Sequence, residues 1–171
     1  MKILGISGSA SQKSSNYYML KAIQKSIADK HQMQVYDDIH AFELFTPEKL
    51  KKGVPGDIQN FKESILEADA IIISTPEYTH NIPAVLKNMI EWCTHSGEFS
   101  EKRILPITFT PKEPRGEFAM QSLLNSLQTM KAKIVMEFPL YKTDVIIENQ
   151  EIKFPNEIQD MIDEALFLLM N

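Results

Sequence analysis

Five short apolar runs rich in β-branched residues, each followed by a stretch of helical period, constrain this chain more than any other feature. The runs fall at residues 2–7, 33–37, 70–74, 104–109 and 134–138, and the helical stretches at 15–30, 57–68, 83–95, 116–131 and 156–170. Such alternation separates parallel buried strands from the helices that cover them. The run Ile71-Ile72-Ile73 is apolar without alternation, as a strand buried on both faces requires, and it is expected to lie at the centre of the sheet.

A strand-to-strand crossover within one parallel sheet is right-handed, so these elements specify a three-layer α/β/α sandwich. Five strands with five helices fit a flavodoxin-like α/β fold, a five-stranded parallel sheet of order 2-1-3-4-5. The 171 residues amount to one domain over 1–171, at about 150 residues per domain. No internal repeat of 20–50 residues is present. The one long loop-like stretch, 45–56, is punctuated by Pro47, Gly53, Pro55 and Gly56.

Charge narrows the partners. Eighteen Lys and Arg against 23 Asp and Glu give a net charge of −5, which offers no cation excess to a nucleic-acid backbone or an anionic membrane surface. Cys93 is the single cysteine, so no intramolecular disulfide forms and a reducing compartment, the cytoplasm, is the expected location. The longest apolar stretch, 165–170, is far short of the ~20 residues that span a bilayer, and the amino terminus reads as a strand instead of a signal peptide.

The loop after the first strand carries five serines, Ser7, Ser9, Ser11, Ser14 and Ser15, with Gly8 at its turn and Asn16 entering the helix. In an open α/β sheet a ligand lies beyond the carboxyl ends of the strands, where a helix amino terminus presents unpaired N–H groups to an anion. Serine hydroxyls at short reach add donors, so a phosphate can be held without a cationic cluster. A Ser-rich turn with one helix cap stays open as the plainer reading. The spelling excludes a Walker loop and a dinucleotide fingerprint, because neither the Gly-Lys-Ser/Thr ending nor the third glycine follows Gly5 and Gly8. Asp37 and Asp38 read as a solvated strand end, and a cysteine-phosphatase loop is absent because Cys93 lies elsewhere.

The third strand runs into Thr75-Pro76-Glu77-Tyr78-Thr79-His80-Asn81-Ile82-Pro83, and the next helix carries Leu86-Lys87-Asn88 and Trp92. With Gly8-Ser9, Ser14 and Asn16, this pattern resembles the NADPH-dependent FMN reductase family, flavodoxin-like flavoproteins that include quinone, chromate and azo-dye reductases. The family signature is Pro-Glu-Tyr-Asn, a short gap, Pro, then Leu-Lys-Asn and an aromatic; Thr79 stands in the asparagine's place. The resemblance implies that Ser9, Ser14 and Asn16, with Ser11 and Ser15 beside them, grip the FMN phosphate. Ser11 occupies a position where the family has arginine, and a hydroxyl lacks the bidentate charged clamp. Lys13 nearby offers a point charge instead.

By the same resemblance, Pro76, Glu77, Tyr78, Thr79 and Asn81 wrap the isoalloxazine edge, with backbone groups near Glu77, Tyr78 and Thr79 serving ring heteroatoms and Tyr78 as an aromatic wall. No side chain is then required as a catalytic acid or base; the chemistry is borne by the flavin. The helix after this loop has an apolar stripe of Ala84, Val85, Leu86, Met89, Ile90, Trp92 and Cys93, leaving Lys87, Asn88 and Glu91 as its polar side. The family usually pairs through this region, which implies a homodimer or homotetramer; packing of the stripe within one monomer is the alternative.

After the fourth strand, Thr110, which the resemblance implies is a cofactor-binding residue, opens Pro111-Lys112-Glu113-Pro114-Arg115-Gly116, where family members often carry a glycine-rich turn against the flavin. Two prolines remove donors and stiffen the loop. Arg115 is either a contact for the NADPH 2′-phosphate or an exposed helix start. His31, His40, His80 and His95 show no ligand spacing, so no metal is expected, and His80 reads as a surface loop residue with proton donation to a reduced quinone as the rival use. The expected function is transfer of hydride from NADPH or NADH through FMN to a quinone-like acceptor. An FMN-binding electron carrier, and a family member that has lost flavin and serves as an interaction module, are the alternatives.

Overall fold

The computed structural model describes residues 1–171. The first half of the chain runs β1 (Lys2–Ser7), α1 (Ser15–Ser26), β2 (Gln32–Tyr36), α2 (Pro47–Lys52), α3 (Gly56–Glu67) and β3 (Ala70–Thr75). The second half runs α4 (Ala84–Cys93), β4 (Arg103–Thr110), α5 (Glu117–Thr129), β5 (Lys133–Ile134), β6 (Phe138–Tyr141), β7 (Ile146–Glu148), β8 (Glu151–Lys153) and α6 (Asn156–Met170). The parallel sheet has the expected order β2-β1-β3-β4-β5, with β6 also paired to β4.

Every residue of β3 is buried, and its alternate side chains enter opposite cores. Ile71 and Ile73 join Leu4, Ile6, Phe61 and Leu123 on the face covered by α3, α4 and α5. Ala70 and Ile72 join Ile3, Leu20, Ile107 and Leu166 on the face covered by α1 and α6. Each fully buried isoleucine contributes roughly 1.5–3 kcal/mol relative to exposure, so the central strand alone anchors both layers.

The fifth strand is not the continuous 134–138 run expected from its apolar residues. Ile104 pairs with Ile134 and Ile107 pairs with Phe138, so three steps along β4 meet four along its neighbour. One extra residue must be absorbed, and the strand breaks into β5 and β6 around residues 135–137, as a bulge does. The 45–56 stretch contains α2, whose first turn is capped by the Thr46 hydroxyl accepting from Lys49 N–H. The antiparallel hairpin β7–β8 turns at Asn149 and Gln150, both at positive φ.

The apolar stripe of α4 is covered by the chain itself, which corrects the expectation that it forms a partner surface. Asn88, expected on the polar side, is buried; its Oδ1 accepts from Phe45 N–H at 2.8 Å and its Nδ2 donates to the Glu43 carbonyl at 3.1 Å. Trp92 Nε1 donates to the same carbonyl at 2.8 Å, and the Phe45 ring packs edge-on against the indole. The Leu-Lys-Asn-plus-aromatic signature therefore straps segment 42–45 onto α4. No helix is long and apolar enough to cross a membrane.

Candidate functional site

The apolar runs of β1, β3 and β4 all end in hydroxyls: Ser7, then Ser74 and Thr75, then Thr108 and Thr110. These strand ends are neighbours, with Ser7 opposite Ser74 and Thr75 opposite Thr108. They form a polar floor beneath the two loops singled out in the sequence. Ser7 Oγ and Thr108 Oγ1 are buried there without a partner in the chain. Buried hydroxyls are ordinarily satisfied, so unpaired ones mark a polar site with capacity to spare.

The first loop is tied directly to β3. Gly8 N–H donates to the Ser74 carbonyl at 2.7 Å, and Ser74 Oγ donates to Asn16 Oδ1 at 2.6 Å. Gly8 is glycine for a reason internal to the protein: an added Cβ would lie 2.8 Å from Leu86 Cδ2 and 3.0 Å from the Ser74 carbonyl oxygen. Ser14 caps α1 by accepting from Tyr17 N–H at 3.3 Å, and Ser9 Oγ accepts from Ser11 N–H at 3.2 Å. Asn16 is 2% exposed, whereas Ser11 is exposed and Ser15 opens the helix half-buried. The N–H groups of Ser9, Ala10, Gln12, Ser14, Ser15 and Asn16 make no hydrogen bond within the chain. With no acidic residue in the first turn of α1, these amides and the helix dipole make a concave anion cradle.

Asp37 departs from the expected solvated strand end. Its Oδ2 accepts from Lys13 N–H at 2.7 Å, holding Lys13 at φ 49°, and its Oδ1 is buried without a partner. A carboxylate thus shapes the far side of the cradle. Only the fold brings residues 13 and 37 together, so no local signal disclosed it.

In the second loop, Tyr78 and Asn81 exchange N–H···O bonds of 2.9 and 3.0 Å around Thr79 and His80, which sit at φ 49° and 55°. Two consecutive positive-φ residues close a tight reversal that projects Tyr78, half exposed, outward. The Tyr78 N–H is consumed by this turn and cannot serve a ring heteroatom, which corrects part of the expectation; the Glu77 and Thr79 N–H groups are not used within the chain.

The Glu77 side chain, 9% exposed, does what its sequence position did not disclose. Its Oε2 accepts from Gly116 N–H at 3.2 Å and Ala119 N–H at 3.1 Å, so it caps α5 from across the site. Its Oε1 lies 3.8 Å from His80 Nδ1, and the His80 ring meets Phe118 edge-on at 4.6 Å. Asn81 Oδ1 accepts from Ser122 Oγ at 2.6 Å, a second tie to α5. Pro76 is half-buried between these groups and the strand end.

Thr110 is 1% exposed and its Oγ1 donates to the Arg115 carbonyl at 2.7 Å, so its hydroxyl pins its own loop. Gly116 closes that loop at φ 110°, with space for no Cβ beside Thr108. Arg115 and Lys112 are exposed at the helix start and form no ion pair. No group of three or more His, Cys, Asp or Glu is placed to hold a metal.

The geometry fits a flavin mononucleotide: a cradle of open amides for a phosphate, a hydroxyl floor, and an aromatic turn beside it with two N–H groups unclaimed. Comparison with known proteins points the same way. The model of the family described as NADPH-dependent FMN reductase matches residues 1–142. The chain is 33% identical over 108 residues to the NADH:(hydroxy)cinnamate reductase subunit CrdA of Vibrio ruber, covering 61% of this chain and 52% of that protein. It is 33% identical over 98 residues to an NAD(P)H-dependent FMN reductase of Pseudomonas aeruginosa, covering 57% and 52% respectively. The chain thus spans about half the length of the curated relatives it matches. Its fold matches the flavoenzyme NAD(P)H:(acceptor) oxidoreductase FerB of Paracoccus denitrificans with a TM-score of 0.81 at 19% identity, over 98% of this chain and 94% of that one.

Proposed function

Because the chain belongs to the NADPH-dependent FMN reductase family, we propose that it is an FMN-dependent NAD(P)H oxidoreductase that delivers reducing equivalents to a quinone or similar small acceptor. The observation that carries this reading is the pair of bonds at Ser74, whose carbonyl accepts from Gly8 N–H and whose Oγ donates to Asn16 Oδ1; they set the amide cradle against the strand that ends in the tyrosine turn. When bound, FMN supplies the hydride chemistry, accepting a hydride from NAD(P)H and passing it to the acceptor.

The protein's own part is positional and electrostatic. The amides of Ser9, Ala10, Gln12, Ser15 and Asn16 hold the phosphate, joined by the Ser11 hydroxyl and the Lys13 ammonium. The Glu77 and Thr79 N–H groups, unclaimed within the chain, would donate to the ring system and stabilise negative charge on it without reorganising. Tyr78 shields one side of the ring, and Thr110 acts through its loop. Arginine is missing from the cradle and Asp37 adds negative charge beside it, so FMN exchanges instead of staying permanently bound. Tyr78 and Phe118, both about half exposed beside the site, give a second copy of the chain its apolar contact in a homodimer.

Absorption spectra of the FMN-supplemented protein under anaerobic conditions test this reading. Bleaching of the flavin's visible absorption on adding NADPH or NADH, with turnover on menadione, is expected. Flavin that stays oxidised on adding NADPH or NADH, with no oxidation of NAD(P)H by menadione or ferricyanide, overturns it. A flavin retained by the protein on gel filtration that NADPH and NADH both leave oxidised points instead to an electron carrier.

A further inference from the structure

We propose that the cleft between α1 and the β7–β8 hairpin is a second binding site, one that takes a flat aromatic molecule bearing an acidic group. The cleft measures about 810 Å3, within the range of roughly 300–1,000 Å3 typical of small-molecule sites. It runs along the flank of α1 and the start of β2, and none of its lining residues belongs to loops 8–14 or 76–83. The proposal therefore stands or falls independently of the flavin reading.

Its walls match such a ligand in shape and charge. Ala22, Met33 and Ile152 supply an apolar surface, and Tyr17 and Tyr18 add two rings set edge to face at 5.3 Å. Aromatic edges and a methionine thioether favour a planar π-system over a branched aliphatic one. Tyr18 Oη donates to Gln150 Oε1 at 2.6 Å, which holds the hairpin tip to the helix and keeps the cleft formed without a ligand. Lys21, Lys25 and Lys153 stand around it against Glu151 alone. This is a local cationic excess in a chain of net charge −5. Lys153 already pairs with Glu148 and Lys21 donates to Gln24, whereas the Lys25 ammonium has no partner in the chain. His31, also in the wall, keeps its Nδ1 buried without a hydrogen bond. An apolar slot with an unneutralised ammonium at its edge selects a molecule whose ring enters the slot and whose anionic group remains at the rim.

Calorimetric titration with naphthalene-2-sulfonate, in the presence and absence of saturating FMN, tests the proposal, with neutral naphthalene-2-sulfonamide as its twin. One site of equal affinity in both conditions is expected, with amide NMR shifts confined to residues 17–33 and 149–153. Weakening of at least about tenfold is expected in the Lys21→Glu, Lys25→Glu double variant, about 1.4 kcal/mol. These side chains are exposed, and an unchanged far-UV spectrum and melting temperature confirm that the variant is folded. Displacement by FMN, shifts outside those segments, equal binding of the neutral twin, unaltered affinity in the variant, or no binding at millimolar probe each overturns it.

Discussion

Thr79 holds a backbone conformation that its side chain opposes. A β-branched residue at φ 49° crowds its Cβ branches against the backbone, whereas asparagine tolerates the left-handed region and is the family's choice there. The strain is retained because Tyr78 and Asn81 lock the turn from both sides and Thr79 Oγ1 donates to the Tyr78 carbonyl at 2.7 Å. Thr79→Asn is expected to stabilise the fold by about 1 kcal/mol, raising the melting temperature by ~2–4 °C in a chain of this size. No change or a fall in a thermal melt refutes the strain. Glu77 presents the opposite case, a residue whose removal leaves others unsatisfied. Glu77→Ala strips the acceptor from Gly116 and Ala119 and frees the tyrosine turn from α5. A loss of about 1–2 kcal/mol in urea unfolding is expected, with FMN affinity at least tenfold weaker by fluorescence titration. Glu77→Gln keeps an acceptor oxygen and is expected to recover more than half of both losses.

Helices α3 and α4 are held to neighbouring loop segments by polar contacts that hydrophobic periodicity does not encode. Lys62 on α3 is 3% exposed and Glu98, after α4, 5%; their charged groups lie 3.4 Å apart and both bond Ser96 Oγ. Desolvation of two ions takes back much of their mutual attraction, so the pair is worth little until one partner is deleted. Lys62→Ala is expected to cost about 3–5 kcal/mol in urea unfolding, and the joint replacement Lys62→Met, Glu98→Leu to restore most of it. A double variant no better than the single shows that the pair stabilises in its own right. The same limit governs what the sequence disclosed of α4. Its apolar stripe was legible from spacing, but whether its cover comes from a second copy or from the chain's own residues 42–45 depends on Asn88 and Trp92 meeting the Glu43 carbonyl. Those partners are more than 40 residues away, and a one-dimensional pattern carries no such distance. Each apolar run ending in Ser or Thr was, by contrast, a readable sign of the polar floor.

Alternation set the class of the sheet, because a βαβ chain has few ways to return to one sheet and one hand for each return, and the order β2-β1-β3-β4-β5 is one of the few that these rules leave. The departures lie where the main-chain geometry, not burial, decides. The β5–β6 interruption arises from a one-residue mismatch against β4, and the β7–β8 hairpin is too short and polar to announce itself. Burial in the core on the α3–α4–α5 face has a consequence for the intact molecule at high pH. Burial pushes the Cys93 thiol from 9.0 up to about 12, with Glu98 adding to the rise and Lys62 opposing it. Burial likewise pushes the Tyr36 phenol from 10.0 up to about 12, reinforced by Asp38 and Asp57. Both groups stay protonated in the folded protein over a range where the unfolded chain ionises, so the unfolded state binds fewer protons and stability falls as pH rises. The stability present below about pH 9 is therefore expected to decline between pH 9 and 12, first through Cys93 and then through Tyr36. Cys93→Ala removes the thiol's share: the variant starts less stable at pH 7 because of the volume lost, but its urea midpoint drops less steeply between pH 9 and 10 than the wild type's. Parallel slopes in the two proteins show that the thiol ionises in the folded state at its ordinary value. In that event native Cys93 also reacts with iodoacetamide at pH 9, whereas a thiol held near 12 is alkylated only after unfolding.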